Sequence, residues 1–188
     1  MTNIHHILLL LLVPPLLVLP FSTLNDRPVI GVLSTPDETK STFYIAASYV
    51  KWLESAGARA IAIPFYASDD VVESIFHQVN GIMFPGGADY KDMHDSARKI
   101  WKLAKEANDN GNVFPLWGTC LGFEFMVMLA ASDDPKQQIG AIQPGFDSWN
   151  ISLPLIFTEL AARSKMFKSK KIRKIAENSS INVTLNNH

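Results

Sequence analysis

One cysteine occurs in the 188 residues, and it stands between two glycines in Gly118-Thr119-Cys120-Leu121-Gly122. A strand-like run precedes the segment and an apolar helical run follows it. Gly-x-Cys-x-Gly between a strand and a helix is the sequence form of a nucleophile elbow. The glycines permit a sharp turn with close backbone approach, which pushes the central side chain outward. A helix amino terminus supplies partial positive charge and unsatisfied N–H groups, and both favour a thiolate. The N–H of Leu121 would point at an oxyanion formed on an attacked carbonyl. Gly86 or Gly87, in Pro85-Gly86-Gly87 at the end of another apolar run, can supply a second N–H. The pattern suits a cysteine nucleophile that attacks a carbonyl. Its alternative is a buried structural thiol beside an ordinary glycine turn.

Composition narrows the chemistry further. Lys+Arg is 17 and Asp+Glu is 18, a net charge of −1. With no basic excess, nucleic acid is not an expected partner. Hydrophobic residues at 47% and charged residues at 19% exclude wholesale disorder. A single cysteine excludes a disulfide scaffold and any multi-cysteine metal site.

The amino terminus reads as a processing signal. Ile7 to Leu19 is almost wholly apolar but contains Pro14 and Pro15. It is too short for a helix across about 30 Å of hydrocarbon. A polar head (Thr2, Asn3, His5, His6) precedes it, and Ser22 and Thr23 follow. That layout predicts a secretory signal peptide over residues 1–24, with one domain over 25–188. A short membrane anchor is the alternative, and no stable anchor is expected. Three acceptor sequons, at Asn150, Asn178 and Asn182, agree with a secreted or lysosomal destination.

The elbow needs a scaffold. Between Arg27 and Ala131, short β-rich runs alternate with amphipathic stretches. The predicted strands are 29–33, 60–63, 82–84 and 113–117. The predicted helices are 44–56, 69–79, 96–107 and 121–131. Ile45, Tyr49, Trp52, Leu53 and Ala56 lie at helical spacing, and Gly57 is the natural stop. Ser68-Asp69-Asp70 predicts a helix cap. The uniformly apolar 121–131 predicts a buried helix. This alternation implies βαβ units and a parallel sheet, with ligands gathering beyond the carboxyl ends of the strands. After Ala131 the pattern loosens. Ile151 to Phe157 reads as a strand and Met166 to Ala176 as a basic helix. Trp101, Trp117 and Trp149 read as core or groove aromatics. Residues 89–92 read as a loop over the site, and the lysines of 165–174 as a solvated helix face.

Ile45 to Arg59, Asn80 to Gly87 and Phe114 to Glu124 together resemble the γ-glutamyl hydrolase family, in its order and spacing. Weaker similarity continues through 153–155 and 164–167 to Asn186-Asn187-His188. The resemblance implies a three-layer, flavodoxin-like α/β fold of the class I glutamine amidotransferase type, incomplete at its carboxyl end. It implies a cysteine-type γ-glutamyl peptidase that cleaves folate poly-γ-glutamates through a thioester, without metal or organic cofactor. Cys120 matches the nucleophile, and Leu121 with Gly86 and Gly87 matches the oxyanion segment. Glu124 and His188 match substrate-site positions. A homodimer is compatible with this reading.

A cysteine hydrolase also needs a base that later protonates the leaving amine. In the family this is the histidine of a Trp-His-Pro-Glu segment, which the sequence does not contain. His5 and His6 lie in the signal, His77 on a helix, His94 in a polar loop, and His188 at another family position. The competing reading is therefore an inactive homologue or a folate-polyglutamate binder. A glutaminase subunit or a stress protein of the same superfamily is a third, disfavoured by the signal peptide and sequons. The chain is expected to be poorly soluble and hydrolytically weak or dead. Incubation with folate pentaglutamate checks this: glutamate release abolished by Cys120→Ala would overturn it.

Overall fold

The structure, a computed structural model, describes residues 26–37, 42–87, 95–143, 145–178 and 180–186. Four parallel strands form the sheet: β1 (Val29–Leu33), β4 (Arg59–Ile63), β5 (Gly81–Phe84) and β6 (Leu116–Gly118), in the order β4-β1-β5-β6. A small antiparallel hairpin, β2 (Thr35–Asp37) with β3 (Thr42–Tyr44), leaves the carboxyl end of β1. The helices are α1 (Ala47–Ser55), α2 (Asp69–Phe76), α3 (Asp95–Asp109), α4 (Leu121–Ala131), α5 (Pro135–Gly140) and α6 (Lys170–Ala176).

Side chains alternate across a strand, and that period sorts the layers. Val32 and Met83 point to one face and pack with Leu53 and Tyr49 of α1. Leu33, Ile82, Phe84 and Leu116 point to the other and join Val72 and Phe76 of α2, Ile100 and Ala104 of α3, and Phe125 and Met128 of α4. The result is the predicted three-layer α/β arrangement, with a single helix on one side among the described residues. Two buried serines tie the chain after β4 to its neighbours. Ser34 Oγ accepts from Phe65 N–H at 2.9 Å, and Ser96 Oγ donates to the Phe65 carbonyl at 2.5 Å. Across the outer layer, Lys99 of α3 pairs with Glu73 of α2 at 2.8 Å. That hydrogen bond holds the Glu73 carboxyl below its ordinary range.

Several predicted boundaries move, each for a local reason. The strand expected over 113–117 is observed as Leu116–Gly118. Asn108 takes both the amide and the carbonyl of Phe114, and Pro115 has no N–H to give. The helix expected through Val79 ends at Phe76, and Ser68 makes no side-chain cap. α4 is not enclosed all round: Leu121, Gly122, Phe125, Met128 and Leu129 are buried, whereas Phe123 is 59% exposed. The stretch 151–157 forms no strand. Residues 184–186 run antiparallel beside it, Ile151 and Asn186 exchanging backbone hydrogen bonds and Thr184 N–H donating to the Leu153 carbonyl, but the pairing stops at Pro154, which has no N–H to give. The basic helix is shorter than expected, beginning at Lys170. Trp101 packs against the core, but Trp149 is 68% exposed and is not a core residue.

One backbone approach dominates the carboxyl end of the sheet. A Cβ on Gly122 would stand 2.1 Å from the Phe84 carbonyl oxygen, a distance that no relaxation of a side chain can relieve. Gly122→Ala is therefore expected to cost about 3 kcal/mol or more. Gly140, in α5, has nothing within 4 Å of its added Cβ, and Gly140→Ala is expected to stabilise by roughly 0.5–1 kcal/mol. Denaturant unfolding of the two variants checks both signs.

Candidate active site

Parallel register brings the two glycine segments together. Phe84 of β5 is level with Gly118 of β6. The chain leaving β5 (Pro85-Gly86-Gly87) and the chain leaving β6 (Thr119-Cys120) therefore run side by side beyond the carboxyl ends. Thr119 N–H donates to the Phe84 carbonyl at 3.1 Å, which continues the ladder one step past the strand. Gly86 then lies opposite Cys120: its added Cβ would be 3.3 Å from the Cys120 Cβ. Leu121 packs beneath Gly87, which also meets Thr35 of the hairpin.

Cys120 turns the chain from β6 into α4. Its φ of 53° and ψ of −120° lie in a region that a residue with a side chain rarely enters. Strain of this kind costs of order 1–3 kcal/mol and persists only where surrounding contacts impose it. Two contacts do so here. Gly122 is pressed on Phe84, and an added Cβ on Gly118 would be 2.6 Å from the Gly122 carbonyl oxygen. The Cys120 carbonyl accepts from both Phe123 N–H and Glu124 N–H, so α4 starts on the cysteine itself. The side chain is exposed, which removes the alternative of a sealed structural thiol. Leu121 is the first residue of α4, where an N–H has no intrahelical acceptor.

Glu124 sits half-buried on α4, four residues after the cysteine and so one turn along the same helix. The Gly86 N–H has a partner: it donates to the Tyr49 hydroxyl at 2.8 Å. The structure thus directs one of the two candidate glycine amides to α1. Trp52, three residues after Tyr49, meets Trp117 with ring centroids 5.3 Å apart, and Trp117 Nε1 donates to Thr119 Oγ1 at 3.0 Å. Tyr49 and Trp52 were legible in the sequence only as the packing face of a helix. Their nearness to the elbow comes from the way α1 lies on the sheet.

No histidine among the described residues reaches this group. His77 immediately follows α2 and precedes β5, so it lies at the amino end of the sheet, opposite the elbow. His188 and residues 88–94, with the predicted loop and His94, lie outside the described residues, as does the predicted signal peptide. Asn150, Asn178 and Asn182 are all exposed. Among the described residues no cluster of three His, Cys, Asp or Glu is placed to hold a metal, and no helix is long and apolar enough to cross a membrane.

A parallel sheet with helices on both faces, carrying an exposed cysteine on a strained strand-to-helix turn, defines an α/β protein built like the class I glutamine amidotransferases. The sequence profile of peptidase C26 matches residues 28–133, and the chain belongs to that family. It is 38% identical over 176 residues to γ-glutamyl hydrolase B of Dictyostelium discoideum, covering 89% of this chain and 49% of that one. It is 39% identical over 181 residues to γ-glutamyl hydrolase of Mus musculus, covering 89% and 55%. γ-Glutamyl hydrolase 1 of Arabidopsis thaliana is 42% identical over 124 residues, covering 61% and 35%. The chain thus spans about half the length of the curated relatives it matches.

The backbone strain at the elbow has a measurable sign. A glycine at 120 adopts this φ without penalty, so Cys120→Gly is expected to raise unfolding stability by about 1 kcal/mol or more. Urea denaturation of the pair checks it, and an unchanged or lowered midpoint would contradict the strain.

Proposed function

We propose that this site carries out the nucleophilic step of γ-glutamyl amide cleavage on folate poly-γ-glutamates. The observation that carries the reading is the exposed Cys120, held on a strained turn and level with Gly86 at the carboxyl end of a parallel sheet. The family and the names of its relatives support the bond class. The Cys120 sulfur adds to the γ-glutamyl carbonyl carbon, and the carbonyl electron pair moves onto oxygen. The Leu121 N–H donates to that oxyanion, and the positive end of α4 faces it. Collapse of the tetrahedral species breaks the C–N bond, leaves a thioester on Cys120, and releases the amine once it has taken a proton. Water then hydrolyses the thioester. We assign Glu124, one turn along α4, to the polar end of the substrate, on its position and the family resemblance.

The described residues hold the nucleophile and an amide donor but no imidazole beside them. A second reading is that the chain binds the polyglutamate and turns it over slowly, without general acid–base assistance. General acid–base assistance is worth typically 10²–10⁴-fold, and that factor separates the two readings. Both place substrate over the sulfur. Pteroyl-γ-pentaglutamate is therefore expected to slow iodoacetamide alkylation of Cys120 in a saturable way, whereas an α-linked pentaglutamate is not. Equal protection by the two, or none by either, would overturn the proposal. Mass spectrometry after quenching shows whether the γ-linked ligand also leaves an acyl group on Cys120.

A further inference from the structure

We propose that Tyr49 is a catalytic residue, its phenol O–H donating to the oxyanion that forms when Cys120 attacks a carbonyl. The inference rests on reading Cys120 as an acylating nucleophile, but not on the identity of the substrate. Two observations carry it. The Gly86 N–H donates to the Tyr49 Oη at 2.8 Å, so this glycine amide points at the phenol. The bond uses a lone pair of the oxygen and leaves the phenol proton for another acceptor, and none of the described residues provides one. The phenol also stands where the chemistry happens. Tyr49 Oη and the Cys120 Cβ crowd the same side of Gly86, at 2.8 and 3.3 Å from the point its Cβ would occupy. An oxyanion formed at the sulfur therefore meets a polarised O–H, with Gly86 behind it strengthening the donor. Leu121 N–H is the other donor. The phenol keeps its proton throughout: it stabilises charge and transfers nothing.

Two reactions of the one cysteine separate this role from a structural one. With p-nitrophenyl acetate, the sulfur adds to the carbonyl through an oxyanion, the C–O bond breaks, nitrophenolate leaves, and an acetyl thioester remains. With iodoacetamide, the sulfur displaces iodide from a saturated carbon and no oxyanion forms. Tyr49→Phe keeps the ring and removes the hydroxyl. It is expected to slow acetylation roughly 100-fold while leaving alkylation unchanged. Equal changes in both reactions would overturn the proposal in favour of loop positioning. Absence of acetylation in the unaltered chain would overturn both this and the nucleophile reading. If Tyr49→Phe loses its native circular dichroism, the unaltered chain labelled with 3-fluorotyrosine replaces it. The more acidic phenol should speed acetylation and not alkylation, and equal rates would sink the idea.

Discussion

The contact between Gly122 and the Phe84 carbonyl is the constraint from which the rest of the site follows. It lets the first turn of α4 lie directly on the end of β5, closer than any side chain would allow. With α4 held there, the two residues between Gly118 at the end of β6 and α4 must reverse the chain in one step. Cys120 absorbs that reversal in a positive-φ conformation. Its side chain is then exposed, and α4 begins beneath it with N–H groups that have no intrahelical acceptor. The exposed thiol, the helix-start amides and the strain are consequences of one backbone approach. The two glycines of the motif have separate duties: Gly122 meets β5, and Gly118 clears Gly122.

The layers divide the remaining work unequally. α2, α3 and α4 share one face of the sheet and form the larger core, which holds the strands in place. Among the described residues, the opposite face carries α1 alone, with a small cluster around Val32, Leu53 and Met83. That lone helix is what reaches the glycine segments, through Tyr49 at Gly86 and Trp52 at Trp117. Among the described residues β6 pairs only with β5, so it is a sheet edge, and Trp117 beside it is 40% exposed. An edge strand that presents a half-exposed aromatic leaves backbone groups and apolar surface uncovered. Relatives about twice as long carry further chain, and among the described residues β4 and β6 are the two edges of this sheet.

Local chemistry explains which elements were readable in advance. β1 and β5 were legible because short apolar runs bounded by glycine, proline and asparagine have few other uses. α1 was legible from its apolar spacing and from Gly57, which closes it at φ 86°. The errors arose where a distant partner overruled the run. Asn108 claimed Phe114 and shortened β6. Pro154 ended the pairing of 151–157 with residues 184–186 after a single bridge. The β2–β3 hairpin left no clear sequence signal, since its six strand residues include Pro36 and three threonines or aspartates. The pairing of Thr35 with Tyr44 appears only once the chain is folded.

The residues from 118 to 122 determined by themselves that a thiol would stand at a strand-to-helix turn, because only glycines tolerate such close backbone packing and only a turn needs both. Alternating apolar runs likewise determined the layered α/β class. Tertiary structure alone decided what surrounds the sulfur. It set Gly86 level with Cys120 through the β5–β6 register, turned the Gly86 amide toward Tyr49, and put His77 at the far end of the sheet. These are distances between segments tens of residues apart. Strand register and helix placement set them, and neither is encoded within the reach of a local pattern.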